Sequence, residues 1–246
     1  MGESPAASPA AGSHRRTIVS EGVAVGLATG AYGVSFGAVA TAAGLSVAQT
    51  CVLSLLMFTG ASQFALVGVL AGGGLPVSGA ATAIMLGTRN TLYGLRLAPL
   101  LAWRGVRRAA AAHLLIDEST AMSVNRGNTP DARTGFLSTG ISVFVLWNLA
   151  TLLGALAGEV LGDPRTYGLD AAVGAAFLAL LWPRLRDRTN RLVAVAAAGL
   201  ALAVVPVTPA GVPVLAAAGV ALLVGMLSRT ADPTEVPGPG DVGGAS

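Results

Sequence analysis

The stretch GTRNTLYG, residues 87–94, places an arginine and several polar residues inside a long apolar run. Tyr93 lies four positions after Arg89 and shares its helical face. A guanidinium among apolar groups costs roughly 2.5–3.5 kcal/mol on membrane-insertion scales, so it is usually directed at a partner or a hydrated cavity. We expect Arg89, Asn90 and Tyr93 to belong to a binding site that receives a carboxylate. The alternative is that Arg89 and Arg96 only extend to a polar interface.

A second polar interruption, in AAHLLIDESTAMS, contains adjacent carboxylates at Asp117 and Glu118. Neighbouring residues point about 100° apart on a helix, so we expect the two to face different directions. His113 and Thr120 fall on the side of Asp117 and could keep it charged. Glu118 has three apolar neighbours on its face: Leu114, Leu115 and Met122. If buried, Glu118 would favour its protonated form and is a candidate proton carrier; a loop location for both residues would remove this argument.

The third interruption, FTGASQF at residues 58–64, places small and polar residues within an apolar run. Gly60, Ala61 and Ser62 weaken helix continuity and leave room, while Gln63 offers both a donor and an acceptor. The pattern is typical of a discontinuous helix whose freed backbone groups line a binding cavity. A plain helix contact between small residues, with Gln63 satisfied by a neighbour, is the alternative.

Together the three interruptions match a zwitterionic substrate. Arg89 could receive a carboxylate, Asp117 or Glu118 could receive an ammonium group, and the abundant Ala, Val and Leu side chains could accept an aliphatic group. Arg89 and Asp117 could instead pair with each other.

The composition indicates where these residues lie. The 246 residues are 53% hydrophobic and 11% charged, with a mean hydropathy of +0.70. We therefore expect an all-α, polytopic membrane helix bundle of seven or eight segments, some of them discontinuous or half-membrane. The segments are predicted at 17–43, 46–71, 76–102, 109–124, 135–160, 169–183, 191–206 and 212–228. They make up a transmembrane domain over 17–228, flanked by disordered tails at 1–16 and 229–246.

The first segment carries regularly spaced glycines. They occur at Gly22, Gly26, Gly30, Gly33 and Gly37, on one helical face. This spacing predicts a face against which a neighbouring backbone packs closely.

The arginines of the short loops predict the orientation. They fit eight crossings with both termini in the cytoplasm, except that the cluster Arg104, Arg107 and Arg108 would then lie outside. If segments 76–102 and 109–124 enter the membrane and return, this cluster would be cytoplasmic as well. The sequence leaves both arrangements open.

Several functions are excluded or disfavoured by what the chain lacks. All 15 basic residues are arginine, so the lysine of a P-loop is absent. Cys51 is the single cysteine, and His14 and His113 form no metal-ligand spacing, so we expect no metal and no cofactor. Ser62 has no identifiable base and no HExxH occurs, which disfavours an intramembrane enzyme.

The same residues resemble the AzlC family of branched-chain amino acid export permeases. The resemblance covers roughly residues 17–228 and rests on GVSFGAVATAAGLS, FTGASQF, GTRNTLYG and IDESTA in this order. It implies a large permease subunit that exports valine, leucine or isoleucine with a small hydrophobic partner of the AzlD type. The motif positions are Gly60, Ala61, Ser62, Gln63, Phe64, Arg89, Asn90, Tyr93, Gly94, Asp117 and Glu118. Asn90 stands where the family often has histidine, which argues against proton transfer by this side chain.

We therefore expect a secondary transporter of the bacterial inner membrane, with an amino acid, the lipid bilayer and the AzlD-type subunit as partners and no nucleic acid. Transport of another small amino acid, or import, is the alternative within the same class. A non-transporting membrane scaffold is the alternative from another class.

Overall fold

The computed structural model describes residues 9–161, 178, 181–209 and 211–229, which are mostly helical and contain no β-strand. The expected all-α class is therefore confirmed. In chain order the helices are α1 Pro9–Gly30, α2 Tyr32–Ala42, α3 Val47–Leu56, α4 Ala61–Ala71, α5 Pro76–Leu101, α6 Gly105–His113, α7 Asp117–Val124, α8 Thr129–Leu161, α9 Arg188–Val204 and α10 Val212–Arg229. The chain divides into two compact units, Met1–Leu181 and Trp182–Ser246.

Three helical stretches of the described residues are long and apolar enough to cross a membrane. They are Gly12–Ala42, which joins α1 and α2, then Thr129–Val160 and Arg188–Val207. At a rise of 1.5 Å per residue, the 33 residues of α8 span roughly 50 Å, more than the hydrocarbon core of a bilayer. With the shorter apolar helices, they give the described residues the helix content and length of an all-α membrane protein.

The glycine face of the first segment packs against α8, as predicted. A Cβ added at Gly30 would lie 2.7 Å from the Cβ of Leu146, and one at Gly37 would overlap the carbonyl oxygen of Thr151. Real Cβ atoms do not approach other atoms this closely, so α1 and α2 touch α8 through their backbones. We call this contact the glycine seam.

Glycines of α8 contribute to the glycine seam from the other side. A Cβ at Gly154 would overlap the carbonyl oxygen of Val34 and lie 2.8 Å from its Cα. A hydrogen bond also crosses the seam, since the Ser142 hydroxyl donates to the Gly22 carbonyl at 2.9 Å. Glycines on both sides of the seam therefore let the backbones approach closely.

Two predicted segments are each built from two helices. Segment 46–71 is interrupted between α3 and α4, where Gly60 has a φ of +54°, so its predicted discontinuity is confirmed. Segment 109–124 is not one segment: α6 ends at His113, α7 begins at Asp117, and residues 114–116 between them are not helical. This second break contains neither glycine nor proline.

The remaining boundaries differ in smaller ways. The first helix begins at Pro9, so residues 9–16, assigned above to a disordered tail, are helical. The helix predicted over 135–160 already begins at Thr129. Most of the predicted segment 169–183 lies outside the described residues.

The second unit contains α9 and α10. Its helix α9 begins after Asp187, whose carboxylate caps the helix by accepting a hydrogen bond from the Asn190 amide at 2.9 Å. Helices α9 and α10 contact each other.

The glycine seam predicts the effect of a single added methyl group. We expect Gly154→Ala to destabilise the folded protein by about 1–3 kcal/mol, because the new Cβ has backbone atoms of Val34 in its place and these cannot rotate away. Gly68→Ala on α4 is the matched control, since nothing lies within 4 Å of its Cβ position. Thermal unfolding in detergent measures both; equal midpoints for the two variants would contradict the close contact.

Candidate functional site

A cavity of about 250 Å³ lies in the first unit where the two helix breaks meet α1, α2, α5 and α8. Its lining brings together residues from all three polar interruptions of the sequence. The lining residues are Thr29, Tyr32, Phe58, Thr59, Gly60, Ala61, Phe64, Arg89, Asn90, Ile116, Asp117, Glu118, Val143 and Trp147. We call it the central cavity.

Arg89 and Asp117 form an ion pair at the central cavity. The Nη1 atom of Arg89 lies 3.0 Å from Oδ2 of Asp117, and the two side chains are 33% and 26% exposed. Of the two arrangements left open by the sequence, the structure therefore contains the pair. Each residue neutralises a charge that the apolar bundle would otherwise have to tolerate alone.

The break before α4 presents a helix N-terminus to the central cavity. Gly60 and Ala61 line the cavity, and no side chain caps this helix. The first backbone N–H groups of a helix have no acceptor within it, so this end attracts negative charge. Ser62 and Gln63 do not line the cavity: they are 2% and 0% exposed, and Gln63 donates to the Leu53 carbonyl at 3.5 Å.

The second break presents the N-terminus of α7. Asp117 and Glu118 are its first two residues, and both line the central cavity. Although neighbouring helical positions point about 100° apart, both side chains reach this one cavity from the start of α7. Glu118 lies near Arg89 and Asp117, and the Thr29 side chain is placed to donate a hydrogen bond to it. These polar groups lie near Glu118 in addition to the apolar side chains that line the cavity.

A continuous helix predicted His113 on the side of Asp117, and this prediction is wrong. His113 ends α6, and its ring centroid lies 5.5 Å from that of Phe144 and 6.3 Å from that of Phe58. The break at 114–116 changes the helical register between His113 and Asp117, which removes the predicted four-residue relation.

The two other predicted residues of α5 differ in position. Asn90 lines the central cavity, and its amide donates to the Leu115 carbonyl at 3.1 Å. Tyr93 is half-buried one turn further along α5 and is not among the lining residues.

Several polar atoms around the central cavity have no hydrogen-bond partner within the described part of the chain. They are Thr59 Oγ1, Arg89 Nε, Asn90 Oδ1, Asp117 Oδ1 and Trp147 Nε1. The set includes N–H donors, carbonyl and carboxylate acceptors, and a hydroxyl that does both. It suits a ligand that carries both donors and acceptors. Among the described residues no group of three or more His, Cys, Asp or Glu is placed to hold a metal.

The apolar wall of the central cavity consists of residues that were not predicted to bind substrate. Phe64 meets Trp147 edge to face, with ring centroids 6.1 Å apart, and Val143 lies one turn before Trp147 on α8. In a sequence, a lone aromatic residue in an apolar helix indicates packing. Trp147 is recognised as a cavity residue only from its position opposite the breaks. Thr29 and Tyr32 also line the cavity without having been predicted, although they lie near Gly30 of the glycine seam.

The ion pair predicts a non-additive pair of substitutions. Arg89→Ala should lower the free energy of unfolding by roughly 1–3 kcal/mol, since it leaves the partly buried Asp117 carboxylate unpaired. Adding Asp117→Asn should recover much of this loss, because the remaining charge is removed. Thermal unfolding of the parent, both single variants and the double variant measures the coupling. A double variant no more stable than Arg89→Ala would contradict the pairing.

Comparisons with known proteins identify the family of the chain and its membrane-protein relatives. The family model described as AzlC protein matches residues 24–161. An uncharacterized membrane protein of Archaeoglobus fulgidus is 34% identical over 188 residues, which are 75% of this chain and 83% of the relative. The inner membrane protein YgaZ of Escherichia coli is 29% identical over 198 residues, 76% of this chain and 78% of that protein. No solved structure matches the chain. The chain is a membrane protein and belongs to the AzlC family.

Proposed function

We propose that this chain is a secondary transporter subunit that moves branched-chain amino acids, valine, leucine or isoleucine, out of the cell. The observation that carries the proposal is the central cavity, where an arginine–aspartate pair, an uncapped helix N-terminus and an apolar wall meet. Together they can receive the carboxylate, the ammonium group and the side chain of an aliphatic amino acid.

The carboxylate of the substrate binds between Arg89 and the N-terminus of α4. Arg89 supplies parallel N–H donors, which match the two oxygens of a carboxylate. The first turn of α4 adds backbone N–H groups and carries no acidic residue, so its partial positive charge is not already offset.

The ammonium group binds at the N-terminus of α7. There Asp117 and Glu118 offset the helix dipole and provide carboxylate acceptors. A zwitterion brings one charge of each sign, so its carboxylate can take the place of Asp117 at Arg89 while its ammonium takes the place of Arg89 at Asp117. The ion pair is thereby exchanged for two new pairs, with no charge left alone.

The aliphatic side chain binds against the apolar wall. Phe58, Phe64 and Trp147 provide aromatic surface and Ile116 and Val143 provide branched aliphatic surface. Each buried methylene gains about 0.8 kcal/mol, so this wall favours valine, leucine and isoleucine over alanine or glycine.

Membership in the AzlC family supports a role in membrane transport, and the direction, the substrate and the AzlD-type small subunit are carried over from the family resemblance. We place the chain in the bacterial inner membrane as a multi-pass protein with cytoplasmic termini. Because the chain lacks lysine and hence a P-loop, we propose that an ion gradient or the gradient of the substrate drives transport.

Efflux of labelled valine tests the proposal. In preloaded cells without their own exporters, we expect efflux when the chain and its small partner are both present. Arg89→Ala should reduce efflux roughly tenfold or more, because the carboxylate loses a charged donor. Arg96→Ala on the same helix is the matched control, since Arg96 is exposed and does not line the central cavity.

Substrate analogues separate the contributions of the two ends. Unlabelled valine should compete with the labelled substrate, whereas isobutylamine, without the carboxylate, and isovalerate, without the amine, should compete weakly. No valine efflux in any combination, at confirmed membrane abundance, would contradict the proposal. Efflux of other amino acids, uptake instead of efflux, or no movement of any amino acid would point respectively to another substrate, import or a scaffold.

Proton coupling through Glu118 or Asp117 is tested in vesicles with an imposed pH gradient. We expect Glu118→Gln to move valine down its own gradient but to lose the response to pH, because the amide carries no exchangeable acidic proton. Asp117→Asn is compared in parallel. Responses equal to the parent in both variants, at normal expression, would rule out proton coupling at these carboxylates.

A further inference from the structure

A second cavity, of about 410 Å³, lies directly beside the central cavity in the first unit. Its walls come from α5, α6, the residues that join them, and α8. The lining residues are Asn90, Thr91, Gly94, Leu95, Leu97, Ala98, Leu101, Trp103, Arg108, Ala111, Ala112, Leu115 and Phe136. We call it the outer cavity; like the central cavity, it combines an arginine with aromatic and aliphatic side chains.

A thin septum separates the two cavities. Leu115 lines the outer cavity, and the next residue, Ile116, lines the central cavity. Asn90 lines both. The amide of Asn90 donates to the Leu115 carbonyl at 3.1 Å, so a side-chain hydrogen bond joins α5 to the helix break across this boundary.

Hydrogen bonds join the septum to both α7 and α5, and the Arg89–Asp117 ion pair also links α5 to the first residue of α7. On the α7 side, the Ser119 hydroxyl binds the Leu114 carbonyl at 2.7 Å and accepts from the Ile116 amide at 3.1 Å. On the α5 side, the amide oxygen of Asn90 has no hydrogen-bond partner among the described residues. Rupture of the Asn90 bond therefore leaves the break attached to α7.

Leu115 packs closely against α5 at the septum. Gly94 lies one turn after Asn90 and faces Leu115: a Cβ at Gly94 would lie 3.3 Å from Leu115 Cδ2. Because Gly94 has no side chain, Leu115 can lie this close to α5.

We propose that the outer cavity continues the path of the amino acid and that Asn90 with residues 114–116 is the gate between the two cavities. This inference rests on the proposed function, because it assigns a route to the same substrate. When the gate opens, the Asn90 amide exchanges the Leu115 carbonyl for the substrate carboxylate, and its free oxygen accepts from the ammonium. Trp103 and Phe136 then receive the aliphatic group, and Arg108 the carboxylate.

The route is tested by blocking the outer cavity in a Cys51→Ser background, where the protein has no other thiol. Ala111→Cys lines the outer cavity, and modification with a bulky methanethiosulfonate should reduce valine transport roughly tenfold or more in vesicles. Equilibrium binding of labelled valine should change less than about threefold, since the central cavity is left intact. Val52→Cys, an exposed position on α3 that lines neither cavity, is the matched control, and its modification should change neither quantity.

The gate is tested by a cross-link across the septum in the same background. A disulfide between Gly94→Cys and Leu115→Cys should stop transport and leave binding intact, with recovery on reduction; each single variant should be insensitive to the oxidant. Transport that survives both the modification and the cross-link would overturn the inference. Loss of valine binding together with transport would also overturn it, because the two cavities would then form one site. Absence of binding and transport in the unmodified protein would refute the proposed function and this inference together.

Discussion

The close contact between the glycine faces of α1–α2 and α8 is the constraint on which the remaining structure depends. The backbones meet at glycines, for example Gly37 and Gly154. Dispersion contacts and the Ser142 hydrogen bond hold the helices at a fixed distance there. In a lipid environment, where burial of apolar surface gives little advantage between helices, such contacts must supply the association. The seam fixes the position of α8, and α8 carries Val143 and Trp147 to the central cavity.

Once α8 is fixed, the two helix breaks determine the chemistry of the central cavity. Each break ends a helix within the bundle and starts another, so the polar ends of α4 and α7 are available to a ligand instead of to water. The end of α4 is uncapped, and the end of α7 carries two carboxylates. Arg89 from the continuous helix α5 supplies the opposite charge. Without a substrate the Arg89–Asp117 pair satisfies both charges, and the same two groups are suited to the two ends of a zwitterion.

The sequence predicted some of these features because their cause is local. The spacing of Gly22 to Gly37 predicted the seam, and the small residues at 60–62 predicted the first break. The second break could not be foreseen in the same way, because Leu114, Leu115 and Ile116 continue an apolar pattern without glycine or proline. Two side chains replace the lost helical bonds of these residues: Ser119, which is local to the break, and Asn90, which reaches it from α5 as a tertiary contact. As a result His113 was assigned to the wrong neighbours, and Trp147 was not recognised as part of the cavity.

Binding of an amino acid in the central cavity is the claim on which the account rests, and the fluorescence of Trp147 tests it most directly. Trp103→Phe with Trp182→Phe leaves Trp147 as the sole tryptophan of the 246-residue chain, which has three. Titration with valine should change the emission in a saturable way. Arg89→Ala should raise the valine concentration that gives half of the maximal change roughly tenfold or more. An emission that does not respond to valine, or that responds equally with and without Arg89, would contradict the assignment of this cavity as the binding site.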